Sequence, residues 1–564
     1  MKGQDILSEI ASTSSGEFYT PLPKGYKAGK TKYVVITGSV ISGVGKGTIS
    51  SSLCKLLQDR GLKVEPIKLE AYLNVDSGTL NPFRHGEVFV LDDGSETDLD
   101  LGTYERALDK NLHGESFVTS GKIYQKIIQK ERAGKYLGRD VQFIPHVTGE
   151  IKLVLRNLAM KTKADVIPIE IGGTVGDYEN MFALEALREL RYEEGPENVC
   201  FINITYILEP NSLGEQKSKA AQLGIKRLLA MGIQPQVIIC RSQTKLKESI
   251  REKMSLYLNL AKENVFGVHD MSNIYGLPLK LRKKGFDEAI LGELGLEKKF
   301  KTNGNTALKE WTKKTSIQGK AKHTTIGIVG KYTGSNDAYI SILKALEHCS
   351  FKLNRPVKTK WVDATDLEKK KLEKELKGID GVIVPGGFGT RGIEGKIAVA
   401  KYCREKNLPY LGLCLGFQIA LIEFARNVLN LKGANSTEFE PKAKEPVVCL
   451  LPEQAKIEGL GGNMRLGGRD VEVKPGTIAS KLHGNAKTIR RRFRHRFECN
   501  PDYIPQFEEK GIVFSGKAPK VPIMQILEMP KHKFMMASQF HPELTSRPLH
   551  PDELFLEFVR KSAE

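Results

Sequence analysis

The chain has 564 residues, 40% hydrophobic and 27% charged, with a net charge of +19 and a pI near 9.3. That length is too great for one core and predicts several folding units of ordinary globular composition. With no uninterrupted apolar run of about 18 residues no membrane span is expected, and eight scattered cysteines without a CxxC pair argue against a disulfide framework or a zinc site.

The first thirty residues lack the apolar core of a secretory signal and read as a flexible extension, which predicts a cytoplasmic protein. Beyond it, apolar runs at Tyr33–Thr37, Val166–Ile171, Val199–Ile207 and Val237–Cys240 alternate with helical patterns such as Thr48–Leu57. Continuous apolar runs suit strands buried on both faces, and their alternation with helices predicts a parallel sheet. Residues 298–322 are polar and lysine-rich and read as a linker. The alternation then restarts with Thr325–Gly330, Gly381–Pro385 and Tyr410–Cys414. The fold class is α/β, with two doubly wound parallel-sheet domains at 31–297 and 323–564. Basic runs at Leu281–Lys284, Lys298–Lys301 and Lys369–Lys377 are dispersed, and none is interleaved with aromatics. A solvated basic surface is the reading, with no nucleic-acid partner.

The first predicted strand runs into GSVISGVGKGT, a glycine-rich turn that opens a helix. Gly43, Gly45, Gly47 and Thr48 would bring backbone N–H groups to phosphate oxygens, and Lys46 would neutralise charge between phosphates. The strict phosphate-loop pattern is not met, since Val40 and Gly47 depart from it. Bound phosphates call for Mg²⁺ on a few hard oxygen ligands. Asp100, in TDLDLG, and Glu170, near the carboxyl end of a strand and before the turn GGTVGD, are the candidate ligands.

In the second half, GLCLG places Cys414 between a strand and a helix, where a helix N-terminus favours the thiolate. The run QFHPE supplies His541 as a base and Glu543 to fix its tautomer, two residues apart on what reads as extended backbone.

The segments SVISGVGKGT, HGEVFVLDDG, ETDLDLGTYER, VQFIPHVTGEIK, IEIGGTVGDYE, LGEQKSK and GIQPQVIICRS stand in the order found in the CTP synthase family, over about Lys32 to Leu296. The resemblance implies a P-loop-like synthetase domain that phosphorylates the 4-oxygen of UTP with ATP before ammonia displaces the phosphate. By motif, Lys46 and Lys68 match lysines on the ATP phosphates, and Asp100 and Glu170 the Mg²⁺ ligands. Asp177, Glu179, Lys217, Gln222 and Lys253 match the site for UTP, or for CTP as feedback inhibitor. His85 and Val88 match positions on the ammonia route. Three loops depart from the family: Gly38-Ser39, Glu70-Ala71 and Lys219-Ala220-Ala221-Gln222. The last of these lies in a nucleotide-facing loop, and its expected effect is on UTP affinity and CTP feedback more than on reaction type.

PGGFG at Pro385–Gly389, GLCLG and FHPE together resemble the class I glutamine amidotransferases, over about His323 to Phe558. The resemblance implies an oxyanion hole at Gly387 and glutamine contacts at Gln418, Glu438 and Arg496. The CTP synthase resemblance also implies GTP as activator, with the Gly389–Gly392 loop as a candidate contributor, and a homotetramer. The alternatives are another ATP-dependent glutamine amidoligase and an inactive regulatory or filament-forming relative.

Overall fold

The computed structural model describes residues 21–212, 214–297, 299–300, 306–319, 321–333, 335–368, 372–450 and 464–564. The first twenty residues of the predicted extension, and 298, 301–305 and 320 of the predicted linker, lie outside the described residues. The chain divides into two compact units: Met1–Thr79 with Thr103–Lys313, and Leu80–Gly102 with Lys314–Glu564.

The first unit is built on seven parallel strands: β1 (Lys32–Gly38), β2 (Ile67–Glu70), β3 (Phe117–Thr119), β4 (Val166–Ile171), β5 (Val199–Tyr206), β6 (Val237–Ser242) and β7 (Val265–His269). They lie in the order β3-β2-β4-β1-β5-β6-β7. Side chains alternate across the sheet, so Tyr33 and Val35 join one apolar cluster with Ile167, Ile169 and Phe201. Val34 and Ile36 join the opposite one with Leu53, Leu57 and Ile202. Both faces are covered, which is why these strands read as unbroken apolar runs.

The second unit carries a nine-stranded sheet: β8 (Thr324–Gly330), β9 (Val357–Asp363), β10 (Gly381–Val384), β11 (Tyr410–Leu413), β12 (Arg465–Val473), β13 (Thr488–His495), β14 (Val513–Lys517), β15 (Met524–Glu528) and β16 (Met535–Ser538). The order is β9-β8-β10-β11-β16-β15-β14-β12-β13. The first five are parallel, and the sheet then continues in antiparallel strands. The sheet is therefore mixed, where the sequence reading expected a parallel one. Helix Leu415–Asn427 is buried from Leu415 to Ala425 and fills the space beneath β11.

Two features refine the domain reading. The stretch read as a linker contains helix Thr306–Lys314, with Leu308 and Trp311 buried and the Trp311 indole N–H donating to the Tyr275 carbonyl at 3.1 Å. Residues 80–102, read with the first domain, group with the second unit instead. The hairpin Phe89–Val90/Glu96–Thr97 is held there by alternate arginines of β13. Arg490 pairs with Asp92 at 3.0 Å, Arg492 donates to the Val90 carbonyl at 3.1 Å, and Arg494 pairs with Glu96 at 2.6 Å. Among the described residues no helix is long and apolar enough to cross a membrane.

Candidate active site

In the first unit, β1 ends in the glycine-rich turn and helix Lys46–Asp59 begins at Gly45, whose φ of 93° suits a residue without a side chain. Lys46 reaches across to the next strand end, its Nζ donating to the Gly173 carbonyl at 2.7 Å. That second turn is braced from within: the Thr174 N–H donates to Asp177 Oδ2 at 2.7 Å, and Asn180 donates to the carbonyls of Gly172 and Thr174. Two loops at the carboxyl ends of β1 and β4 are thus joined through one lysine, where open α/β sheets take ligands.

Lys68 and Glu170 are adjacent on β2 and β4, and both are buried. The Lys68 ammonium lies 3.6 Å from Glu170 and 3.1 Å from Glu70, and the Tyr104 hydroxyl donates to the other oxygen of Glu170. A buried carboxylate at a strand end, already held by a cation and a phenol, is a hard-oxygen donor of the kind Mg²⁺ uses. Mg²⁺ needs only one or two carboxylates beside phosphate oxygens and water. Asp100 stands in the first turn of helix Leu99–Leu108, its N–H donating to Asp98 at 3.1 Å.

Asp177 and Glu179 are exposed, as is Lys253 on helix Glu248–Leu258, while Lys217 is partly exposed and pairs with Glu215. Glu215 is held below the usual carboxylate range first by Lys217, with Lys247 and Lys253 adding to it, so these lysines share one field. Gln222 is buried and donates to the Ser218 hydroxyl at 3.1 Å. Ala220 and Ala221 form the first turn of helix Lys219–Ala230, with Ala221 in the core. Ala71 lines a cavity with Leu69, Ser120, Tyr124, Glu179 and Phe182. Ser39 is buried, donates to Asn203 Oδ1 at 3.1 Å and packs against Gly224. His85 is exposed at the end of helix Pro82–His85, and Val88 is partly buried.

In the second unit, Cys414 is the residue before helix Leu415–Asn427 and has φ 51° and ψ −98°. An L-residue reaches that conformation only when its surroundings impose it. Its N–H donates to the Ser538 carbonyl at 2.7 Å, and a Cβ on Gly416 would fall 2.1 Å from the Val384 carbonyl oxygen. The close approach of helix to sheet therefore needs glycine there. Cys414 is buried, with its Sγ near the Arg494 carbonyl.

His541 and Glu543 are paired, Nδ1 to Oε1 at 2.8 Å. The backbone is not extended as expected: His541 precedes the single 3₁₀ turn Pro542–Leu544, and the turn brings Glu543 back to the ring. Burial opposes protonation of the ring, yet the Glu543 carboxylate and the Cys414 sulfur outweigh it and hold the imidazole well above its ordinary range. A Cβ on Gly386 would meet His541 Cε1 at 2.9 Å and Cys414 Cβ at 3.5 Å, so the glycine loop touches both partners. Glu438 accepts from the Gly389 N–H at 2.8 Å. Burial raises its carboxyl against the pull of that N–H, Lys331, Arg496 and Lys396. Gln418 donates to the Phe497 carbonyl at 2.9 Å, and its own oxygen is buried without a partner among the described residues. Loop, thiol, imidazole and the Glu543 carboxylate come together in one place, an arrangement suited to acyl transfer from an amide.

The protein-family model for the CTP synthase N-terminus matches residues 32–296, and that for class I glutamine amidotransferases matches 335–561. The CTP synthase of Thermococcus gammatolerans is 48% identical over 536 residues, covering 95% of this chain and 99% of the relative. The chain belongs to the CTP synthase family. The Staphylococcus carnosus CTP synthase is 45% identical, covering 94% of this chain and 97% of its own. Among solved structures, the glutaminase domain of Trypanosoma brucei CTPS with bound acivicin is 35% identical, covering 43% of this chain and 94% of that one, with a TM-score of 0.41.

Around these CTP synthase motifs the structure adds residues the sequence reading passed over. Tyr104 was visible as part of ETDLDLGTYER, but a tyrosine in a helical run reads as core. Arg241, whose guanidinium lies 3.1 Å from the Cβ position of Gly45 and pairs with Asp270 at 2.7 Å, stands near the end of β6 beside the glycine-rich turn. Its place at a strand end beside the motif was the available signal. Lys331 donates to the Phe388 carbonyl, and burial and Arg391 push its amine down. Lys396 is almost fully buried behind the same loop, and nothing in the sequence distinguished it from a solvated lysine.

Proposed function

We propose that the chain converts UTP to CTP with ATP, drawing ammonia from glutamine, through the two sites described above. The observation that carries the reading is their coexistence in one member of the CTP synthase family. One is a phosphate turn with Lys46, Lys68 and Glu170; the other is a thiol at Cys414 with His541 and Glu543.

In the glutaminase reaction Cys414 gives its proton to His541 and its sulfur attacks the carboxamide carbon of glutamine. Backbone N–H groups of the Gly386–Gly389 loop receive the oxyanion, Gly387 foremost. His541 returns the proton to the leaving nitrogen, ammonia departs, and water hydrolyses the thioester to glutamate. Arg496 is assigned to the substrate carboxylate, Glu438 to its ammonium and Gln418 to its polar groups.

In the synthetase reaction the UTP 4-oxygen takes the γ-phosphoryl group of ATP, because a carbonyl oxygen leaves poorly and a phosphate leaves well. Lys46 and Lys68 offset the charge of the transferring group. Glu170 and Asp100 would hold Mg²⁺, which when bound neutralises phosphate charge. Asp177, Glu179, Lys217, Gln222 and Lys253 are assigned to the pyrimidine nucleotide, and His85 and Val88 to the ammonia route. The same reading carries GTP activation, CTP feedback, a homotetramer and a cytoplasmic location, with domains at 31–297 and 323–564.

The test is CTP formation from UTP, ATP and Mg²⁺ with either glutamine or ammonium, using the wild type and Cys414→Ala. The expected result is CTP from both nitrogen sources, the variant losing only the glutamine route. No CTP from ammonium in the wild type would overturn the reading.

A further inference from the structure

Lys396 lies in the first turn of helix Ile393–Lys406 and is 1% exposed. Its side chain makes no hydrogen bond or ion pair among the described residues, and its Nζ sits 3.8 Å from the Cβ position of Gly387. A buried, unpaired amine is costly, and a cation near a helix N-terminus is disfavoured by the helix dipole as well. An apolar helix former of similar length would fit this spot at no such cost. Places where a sequence breaks two local rules at once tend to be functional.

The charged and titratable groups around it are few and mostly engaged. Lys331, from the segment after β8, donates to the Phe388 carbonyl, with Arg391 beyond it. Glu438 is held by the Gly389 N–H. On helix Leu415–Asn427, Glu423 is paired with Arg404 and Arg426 with Glu394. Cys414 remains, acting on both Lys396 and the His541–Glu543 pair. With Glu438 already engaged, the further negative charge that Lys396 can meet is the one that arises when Cys414 ionises and when the glutamine carbonyl becomes an oxyanion.

We infer that Lys396 is a positioning residue of the glutaminase centre, a cation seated behind Gly387 that favours the anionic states of Cys414 and of the oxyanion loop. The inference rests on Cys414 being the nucleophile. Lys396 forms and breaks no bond in the reaction: the thiol proton goes to His541, and Lys396 holds a proton exchanged with solvent. Burial and Lys331 push its amine down to about 7, while Cys414 and Glu438 pull it up. Protonation at 396 and ionisation at 414 therefore reinforce each other.

The test uses full-length Lys396→Met and, as a second variant, Lys396→Gln. The measurements are glutaminase kcat and KM, ammonium-dependent CTP formation, and the pH profile of Cys414 alkylation by iodoacetamide. The expected result is a fall in kcat of about tenfold or more with KM changed by less than about threefold, and ammonium-dependent CTP retained. The alkylation profile should move to higher pH by about one unit, a tenfold change in the ionisation equilibrium. Profiles and kcat that superimpose on the wild type would overturn the inference. So would loss of both activities in both variants together with a collapsed melting temperature, which would assign Lys396 to folding. Cys414→Ala in the same assay separates the two levels. Glutamine turnover without the thiol defeats the underlying reading, whereas a dead Cys414→Ala beside an unchanged Lys396→Met defeats only the role of Lys396.

Discussion

Nδ1 of His541 lies 2.8 Å from Oε1 of Glu543, and Nε2, buried and without a hydrogen-bond partner among the described residues, is left as the ring atom that can exchange a proton with Cys414. Glu543→Gln would keep the shape of this pair and lose its charge. Glutamine-dependent CTP formation should fall about a hundredfold or more, since an imidazole in the wrong tautomer cannot accept the thiol proton. Ammonium-dependent CTP formation, measured in parallel, should stay within about twofold of wild type.

Tyr104 donates to Glu170, whose second oxygen faces Lys68. Tyr104→Phe removes a donor without opening a cavity, leaving the Glu170 carboxylate less firmly aimed. The expected outcome is a severalfold rise in the Mg²⁺ concentration for half-maximal CTP synthesis, equal with glutamine and ammonium. Glutamate release by Cys414 should not change, and a Mg²⁺ titration with both nitrogen sources checks it.

Ser39 lies in one of the loops read as departing from the family pattern; its hydroxyl donates to Asn203 Oδ1, and Asn203 donates in turn to Thr37 at 2.8 Å. Ser39→Gly would leave a buried amide oxygen without this donor, at a cost of about 1–3 kcal/mol. The melting temperature should drop by a few degrees, with the KM for ATP little changed. The serine is thus accounted for by packing and hydrogen bonding beside the glycine-rich turn.

Lys396 has a second, thermodynamic consequence. Its amine is pushed from its ordinary value down to about 7 by burial and Lys331. Between that pH and the ordinary lysine range the unfolded chain binds a proton that the folded chain does not. Stability therefore rises with pH through this window, and the penalty is fully present below about pH 7. Lys396→Met should raise the melting temperature, and by more at pH 6 than at pH 9. Thermal unfolding of both proteins at the two values reads this directly.

The two sites were legible in the sequence to different depths. Unbroken apolar runs located β1, β4, β5, β6, β8, β10 and β11 because strands buried on both faces leave no alternation to misread. The short strands β2 and β3, of four and three residues, carry too little pattern to separate from loops. Cys414, His541 and Lys46 were legible because glycines and prolines mark sharp turns. The residues behind them were not. Tyr104, Arg241, Lys331 and Lys396 matter through neighbours distant in sequence, and a single sequence records no such proximity. The pairing of His541 with Glu543 was anticipated from spacing, but the 3₁₀ turn that achieves it was not.

Cys414 occupies a backbone conformation in which glycine would sit more comfortably, at φ 51° and ψ −98°. Strain of this sort costs about 1–3 kcal/mol at a single residue. Selection for heat resistance alone would therefore reward glycine in place of Cys414, the proposed nucleophile, and selection for nitrogen transfer would restore the cysteine. At position 414 durability and chemistry pull in opposite directions. A library of the chain sorted first for thermal survival and only later for activity would be expected to enrich for proteins that are sturdy and, with glutamine, silent.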